Sequence, residues 1–323
     1  MRISHGTQFE ETANTNGFGY ATEQMLLSLS RLGYEVNPND KTADVEIWFD
    51  QPEHWKFSTG PFRIGYFPWE STALIRNRTP DWYDQLNSCD EVWTPSPIIA
   101  DWFKDYMGIR PPVYVYEHGV DPIWTPKKRA VEGTFKFLHQ GGEANRKGVT
   151  EAMKAVRLAF PGKEDVELNL KIISPGWNIG RLRRVKIHNG AIDINDLIQM
   201  YHDNHAYVYP SWGEGFGLTP LQAMATGMPT ITVPAWAPYA HWIDEDLAIG
   251  SKFAKSPWPV LHPGNMLQPS LDDTIDAMRF VYNNYESVHD KAMENVADLT
   301  AYYSWDRLTK MAFGKLEKRL ESS

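Results

Sequence analysis

A chain of 323 residues, 42% of them hydrophobic, has enough material for two ordinary domains with substantial cores, which excludes a disordered or fibrous protein. Its net charge of −9 repels DNA and anionic membranes overall, and no apolar run is long enough to span a bilayer. One cysteine, Cys89, excludes an internal disulfide and reads as a packing residue, and the opening Met-Arg-Ile-Ser-His-Gly-Thr leads into no apolar signal core. A cytoplasmic protein without stable membrane insertion is expected.

In chain order, Arg2 to Ser4 reads as a strand, followed by a polar loop ending in Ala13-Asn14-Thr15-Asn16-Gly17-Phe18-Gly19. Tyr20 to Leu32 has helical spacing, with Ala21, Met25, Leu29 and Leu32 toward one side and Gly33 closing it. Strand, glycine loop and helix open a doubly wound α/β domain. Apolar runs at Val45 to Phe49, Arg63 to Phe67, Glu91 to Thr94 and Val113 to Glu117, with a helical stretch from Pro97 to Tyr106, continue a parallel sheet. Two prolines between Asp121 and Lys128 predict an extended linker, where the domain boundary is placed.

A second series begins at Thr134 to Leu138, with a loop from Gly141 to Gly148, a helix from Thr150 to Phe160, and strands at Leu168 to Ile173, Ala206 to Tyr209 and Thr230 to Val233. The basic run Arg181-Leu182-Arg183-Arg184-Val185-Lys186-Ile187-His188 either borders a ligand or polyanion or forms a solvated loop and strand face. Asp244-Glu245-Asp246 reads as an acidic turn, unsupported by further metal-ligand types, so no metal is expected. From Ser270 to Leu320 helical spacing is nearly continuous, broken near Tyr302 to Asp306.

Residues 211 to 233, Ser-Trp-Gly-Glu-Gly-Phe-Gly-Leu-Thr-Pro-Leu-Gln-Ala-Met-Ala-Thr-Gly-Met-Pro-Thr-Ile-Thr-Val, carry the most chemistry. Thr219 suits an N-cap, Pro220 the first helical position, Gly227 the C-terminal cap and Pro229 the stop. Free amides near Gly217, Leu218 and Thr219 face the glycine loop with the positive end of the helix dipole, a site for an anion. Gly215 and Gly217 let backbone approach a ligand, and Glu214, just outside, is placed to accept hydrogen bonds from hydroxyls. A sugar on a diphosphate satisfies both. Gln222 has capping-box spacing from Thr219, an alternative to any ligand role.

This stretch resembles the donor-site signature of retaining glycosyltransferases of the GT-B fold, family 4 (glycosyl transferases group 1), a Glu, seven residues and a second Glu. Here the second position is Gln222. The resemblance implies that Glu214 holds the donor sugar and Gln222 the ribose, and that Lys147, in Asn145-Arg146-Lys147-Gly148, holds the diphosphate. It expects an Arg where Gly142 stands, leaving Arg146 as a candidate replacement. It brings Gly17 and Gly19 near the diphosphate and acceptor. His118-Gly119-Val120-Asp121 resembles the family's Asn-Gly-Val-Asp segment, so His118 either orients a substrate or is a hinge histidine. Pro68-Trp69-Glu70-Ser71 and Glu91 to Ser96 resemble a pair of segments in a subset of the family, which gives Glu70 an acceptor hydroxyl or its proton, against a structural carboxylate.

The implied fold is α/β, GT-B: two Rossmann-like doubly wound domains facing across a cleft. Residues 1–126 form the acceptor side, with a C-terminal helix from about 305 to 323 packing back on it, and 127–304 the donor side. The implied reaction moves a hexosyl or pentosyl group from a nucleotide-diphosphate sugar, a UDP-sugar foremost, to a hydroxyl with retention and without a metal or other cofactor. The acceptor stays open among polysaccharide, protein, small molecule and modified DNA. Thirteen tryptophans, five of them Trp48, Trp55, Trp69, Trp82 and Trp93, offer faces for sugars or bases or simply fill a core. The alternatives are an epimerase or phosphorylase of the same fold, and a non-catalytic sugar-nucleotide binding protein.

Overall fold

Apolar strands that run unbroken need cover on both faces, and the two sheets of this chain supply it in parallel form. The computed structural model describes residues 1–6, 17–141, 146–173 and 184–322. The polar loop residues 13–16, Gly142, Asn145 and Arg181 to Arg183 therefore lie outside the described residues.

The first sheet is built from β1 (Arg2–Gly6), β2 (Glu35–Pro38), β3 (Val45–Phe49), β4 (Phe62–Tyr66), β5 (Glu91–Thr94) and β6 (Val113–Val115), in the order β2-β1-β3-β4-β5-β6. Every pairing is parallel. The central β3 and β5 are buried throughout, whereas edge strand β2 is mostly exposed. Helices α1 (Gly17–Arg31), α2 (Trp82–Asn87) and α3 (Pro97–Asp105) connect these strands. Helix α1 begins at Gly17, so Gly17 and Gly19 form its first turn rather than the loop before it. Glycine's lack of a side chain does not end a helix when Phe18, Ala21 and Met25 supply the apolar side.

The second sheet holds β7 (Phe135–Gly141), β8 (Val166–Ile172), β9 (Val185–Asn189), β10 (Ala206–Tyr209) and β11 (Thr230–Thr232), in the order β11-β10-β7-β8-β9, again all parallel. With it come α4 (Val149–Ala159), α5 (Ile194–His202) and α6 (Leu218–Ala225). Helix α4 buries Val149, Ala152, Ala155, Val156 and Ala159, one face at helical spacing. After β11 come the paired strands β12 (Ser251–Lys255) and β13 (Asn265–Pro269), then α7 (Leu271–Asn283), α8 (Tyr285–Tyr302) and α9 (Trp305–Glu321).

The chain divides into two compact units, residues 1–121, 255–266 and 301–323 in the first and 122–254 and 267–300 in the second. Helix α9 belongs to the first. Asp306 at its start accepts from Ser28 at 2.7 Å and Arg31 at 2.6 Å, and Arg319 near its end meets both oxygens of Glu91 at 2.7 Å. Between them Phe313 packs edge-on against Trp93, 5.2 Å between ring centres.

Trp48, Trp55, Trp69, Trp82 and Trp93 are all buried in the first unit, so these faces form core rather than a sugar platform. Cys89 is buried as well, and burial pushes its thiol up to about 12. The segment read as an extended linker, 121–128, instead turns at Pro122 and Ile123 and is docked, with Trp124 edge-on to Tyr201 and the Lys127 amide donating to the Thr226 carbonyl at 3.1 Å. Among the described residues no helix is long and apolar enough to cross a membrane.

Candidate functional site

The second sheet reverses direction between β7 and β10: the chain first runs outward through β8 and β9, then returns to build β10 and β11 on the other side. Loops leaving two such strands part company at their carboxyl ends and leave room for a ligand. One of them leads through Arg146, Lys147 and Gly148 into α4. The other runs from Pro210 to Gly217 into α6.

Glycines hold the two loops in place. Gly148 has φ +78°, and a Cβ there would fall 2.0 Å from the Pro210 carbonyl oxygen, so α4 starts in direct contact with the end of β10. Gly217 has φ +84°, and a Cβ would lie 2.5 Å from both the Trp236 ring and the Tyr239 hydroxyl. Tyr239 donates to the Gly217 carbonyl at 2.7 Å and the Trp236 indole to the Ser211 carbonyl at 3.1 Å, bracing the loop from below.

Glu214 is the centre. Its side chain is 8% exposed, and Oε1 accepts from Tyr209 Oη at 2.9 Å, Ser211 Oγ at 3.0 Å and Arg146 Nη1 at 3.0 Å. Lys147 Nζ donates at 3.3 Å to both carboxylate oxygens and at 3.1 Å to the Tyr209 phenol. Burial pushes the Glu214 carboxyl up, but Lys147 and then Arg146, with the Tyr209 and Ser211 hydroxyls, outweigh it and hold the group below the ordinary carboxylate value. The result is a buried, ionised, oriented carboxylate.

Beneath it lies His139 of β7, fully buried and stacked on Tyr209 at 5.3 Å. Its Nδ1 is 2.8 Å from the Val208 carbonyl, which makes Nδ1 the protonated nitrogen and leaves Nε2 as a lone pair, with no hydrogen-bond partner among the described residues. Burial pushes the imidazole down to about 4 and Lys147 adds to the effect, against the Val208 carbonyl and Glu214. A neutral ring here adds no charge to the cluster.

Helix α6 begins two residues before the expected start. Gly217, in left-handed conformation, is the N-cap, Leu218 the first helical residue and Thr219 the second, so Thr219 caps nothing. Pro220 falls third, still within the first turn where no intrahelical donor is needed. With the cap moved, the capping-box account of Gln222 fails. Gln222 is 8% exposed. At the other end the Gly227 amide donates to Met224 at 2.9 Å and that of Met228 to Ala223 at 3.1 Å, with Gly227 at φ +71° as expected of a glycine stop.

Arg129 fixes that end from the linker. Its Nη1 donates to the Thr226 carbonyl at 2.9 Å and Nη2 to Thr226 Oγ1 at 3.0 Å and the Tyr201 carbonyl at 3.3 Å. The ends of α5 and α6 thus offer the guanidinium their negative dipole ends, and burial lowers it only to about 10.

The structure gathers Lys147, Arg146, Glu214, Gly217, Leu218, Thr219 and Gln222 on this loop pair and helix. Gly17, Gly19, Glu70 and His118 belong to the first unit. His118 packs among Phe49, Tyr66 and Trp305 at 5.6–5.8 Å, and burial pushes it down to about 3. Glu70 is 15% exposed, with His262 Nδ1 3.7 Å from its carboxylate. In the basic run, Arg184 holds the Phe160 and Lys163 carbonyls, Lys186 pairs with Glu167 at 2.7 Å and His188 meets Asn169 at 3.1 Å, which makes the described part structural. Asp244 accepts from the Asp246 amide and pairs with Lys291 at 2.8 Å.

Sequence reasoning missed Tyr209, Ser211, His139, Trp236 and Tyr239. The available signal was a polar residue inside a buried parallel strand, as with His139 in β7, since such a group is retained only where it finds a partner or a use.

Residues 135–246, which carry this site, match the family model of glycosyl transferases group 1. The UDP-N-acetylglucosamine–peptide N-acetylglucosaminyltransferase GtfA subunit of Streptococcus agalactiae is 27% identical over 66% of this chain and 44% of its own length. The chain spans 42–57% of the length of the curated relatives it matches. Among solved structures, sucrose-phosphate synthase from Thermosynechococcus elongatus aligns with a TM-score of 0.70 over 99% of both chains at 13% identity. WaaG, a glycosyltransferase involved in lipopolysaccharide biosynthesis, aligns at 0.65 over 96% of this chain and 99% of its own, also at 13% identity. These likenesses show the GT-B fold with its two Rossmann-like sheets, and the family match supports a glycosyltransferase.

Proposed function

We propose that this protein is a retaining, metal-independent glycosyltransferase that takes a sugar from a UDP-sugar bound on its second unit and passes it to a hydroxyl. One observation carries the reading: an ionised, buried Glu214 stands beside Lys147 at the loop that opens α6. A sugar's hydroxyls need an acceptor held rigidly, and a diphosphate needs cations and unbonded amides, and this loop pair offers both. The relative named for a UDP-sugar favours uridine, and the position of Gln222 on α6 favours a ribose partner there.

In the reaction the bond from the anomeric carbon to the phosphate oxygen breaks and a bond to the acceptor oxygen forms on the same sugar face. The acceptor's proton passes to the departing phosphate oxygen, and the nucleoside diphosphate leaves. Lys147 and the first-turn amides of α6 stabilise the charge that builds on that oxygen, so no metal step is needed. Glu70 in the first unit is the acceptor-side carboxylate of this proposal, and His118 stays a neutral packing group.

The test incubates the protein with UDP-, GDP- and ADP-sugars and a panel of hydroxyl acceptors, measuring nucleoside diphosphate release and the anomeric form of the product. Release from a UDP-sugar that depends on acceptor, with the anomer retained, is the expected result. A rearranged sugar without acceptor, or a sugar phosphate, marks an epimerase or phosphorylase. No release in any combination ends the transferase reading.

A further inference from the structure

Arg146 and Lys147 adjoin in sequence and both reach Glu214, yet their settings differ. The Arg146 side chain is 7% exposed, and its Nη1 spans the Gly213 carbonyl at 2.6 Å and Glu214 Oε1 at 3.0 Å. Its own carbonyl accepts from the Trp212 amide at 3.0 Å and Ser211 Oγ at 3.3 Å. Residue 146 is thus sewn to the 211–214 loop through both its backbone and its side chain. Lys147 is 20% exposed, and its Nζ sits at 3.3 Å from each carboxylate oxygen, a longer and evenly shared contact. A lysine head on a four-carbon stem can swing, whereas a planar guanidinium held by two acceptors cannot do so without losing both.

The difference matters once an anionic ligand arrives, an argument that rests on the nucleotide-sugar reading above. Lys147 cannot serve a diphosphate and both oxygens of Glu214 at once. When it turns to the ligand, the buried carboxylate loses one cation, and a buried carboxylate without a cation takes up a proton. The groups facing Glu214 are Arg146 and Lys147 from the turn before α4, His139 from β7, and Tyr207 and Tyr209 from β10, with the Ser211 hydroxyl. His139 is neutral and the tyrosines are phenols. Of these described neighbours, only Arg146 remains a cation on Glu214 after Lys147 departs.

We propose that Arg146 is a positioning residue rather than a phosphate ligand: it is the fixed counter-ion that keeps Glu214 charged and aimed while Lys147 moves between Glu214 and the ligand's phosphates. Tyr209 and Ser211 assist by holding the same carboxylate oxygen.

The experiment counts protons. UDP is titrated calorimetrically into the wild-type protein, Arg146→Gln, Arg146→Lys and Lys147→Met at about pH 7.5, where a terminal phosphate is fully ionised, in buffers of different ionisation enthalpy. Arg146→Gln is expected to take up about one more proton per UDP than the wild type, and its affinity to fall about tenfold per unit rise in pH relative to wild type. Arg146→Lys, which restores the cation, is expected to return the proton count to the wild-type value. Lys147→Met weakens UDP binding without added proton uptake. A wild-type proton count and affinity in Arg146→Gln overturns the proposal, as does Arg146→Lys behaving like Arg146→Gln.

If the wild type binds no nucleoside diphosphate, the nucleotide-sugar reading fails instead, and the counter-ion role is read without ligand from the ¹³C signal of the Glu214 carboxyl. Removal of Arg146 in a Lys147→Met background, where Arg146 is the remaining described cation on Glu214, is then expected to raise its titration midpoint further, and no added rise overturns the proposal. Should the Gln variant fail to fold, Arg146→Met, which keeps the apolar stem, carries both measurements.

Discussion

The two units share one architecture and use the carboxyl ends of their strands in opposite ways. In the second, the ends of β7 and β10 gather Glu214, Arg146, Lys147, Tyr209 and Ser211 into a charged clasp. In the first, the ends of β3, β4 and β6 gather Phe49, Tyr66 and His118, closed by Trp305 of α9. Each has a buried histidine kept neutral by burial, but His139 lies under a charged cluster and His118 under packing rings. A parallel sheet guarantees only that such a position exists. The residues placed there decide whether it binds or merely holds.

The sharpest way to break the comparison is to remove a buried acid from each unit. Glu214→Ala leaves Arg146 buried without its carboxylate, which is expected to cost about 3–5 kcal/mol in urea unfolding and about 100-fold or more in turnover. Glu91→Ala frees an Arg319 that is 26% exposed, so a loss of about 1–3 kcal/mol is expected with turnover per folded molecule unchanged. Equal effects of the two on turnover would remove the functional distinction between the units.

A smaller contrast tests the loop geometry. Gly217 and Gly33 have nearly the same positive φ, +84° and +86°, but only Gly217 is hemmed in, by Trp236 and Tyr239, while nothing lies within 4 Å of the Gly33 position. Gly33→Ala is expected to lower stability by about 1 kcal/mol from backbone strain alone, and Gly217→Ala by about 3 kcal/mol or more with loss of UDP binding. Similar Tm values for the two variants would mean that the rings yield and that the loop is not held as described.

The gentlest test is pH. Both histidines are pushed below their ordinary 6.5, His139 to about 4 and His118 to about 3, so the unfolded chain binds protons that the folded one refuses. Stability therefore falls as pH drops from 6.5, by up to about 1.4 kcal/mol per unit for each histidine, levelling near 4 for His139 and 3 for His118. The depressed Glu214 acts later: its contribution is complete above the ordinary carboxylate range and is lost only as pH falls through its lower folded value. Replacing either histidine with Phe is expected to remove its share of the slope between pH 6.5 and 4 in urea unfolding. An unchanged slope in His139→Phe would show that His139 titrates normally.

Central strands were legible because burial on both faces leaves a short run rich in apolar residues: β3, β5 and β10 have the bounds read from sequence. The exposed edges hid, since β12 carries polar residues and α5 buries only Tyr201. At the site, the glycine loop and its helix were visible, but the helix start was set wrongly because Thr219 is the better cap by type, while Gly217 is pinned by Trp236 and Tyr239. Glu214 and Lys147 stood out singly. That Arg146 and Lys147 both close on Glu214, 68 and 67 residues away, had no local sign.

The amino-acid sequence by itself determined two parallel α/β series, a glycine loop that opens into a helix and the residue types that stand along it, because period, glycine placement and helix termini are local properties. Which charges are spent on one another was decided only by the tertiary structure, where the parallel pairing of β7 with β10 brings distant loops together and burial makes Glu214 depend on its neighbours.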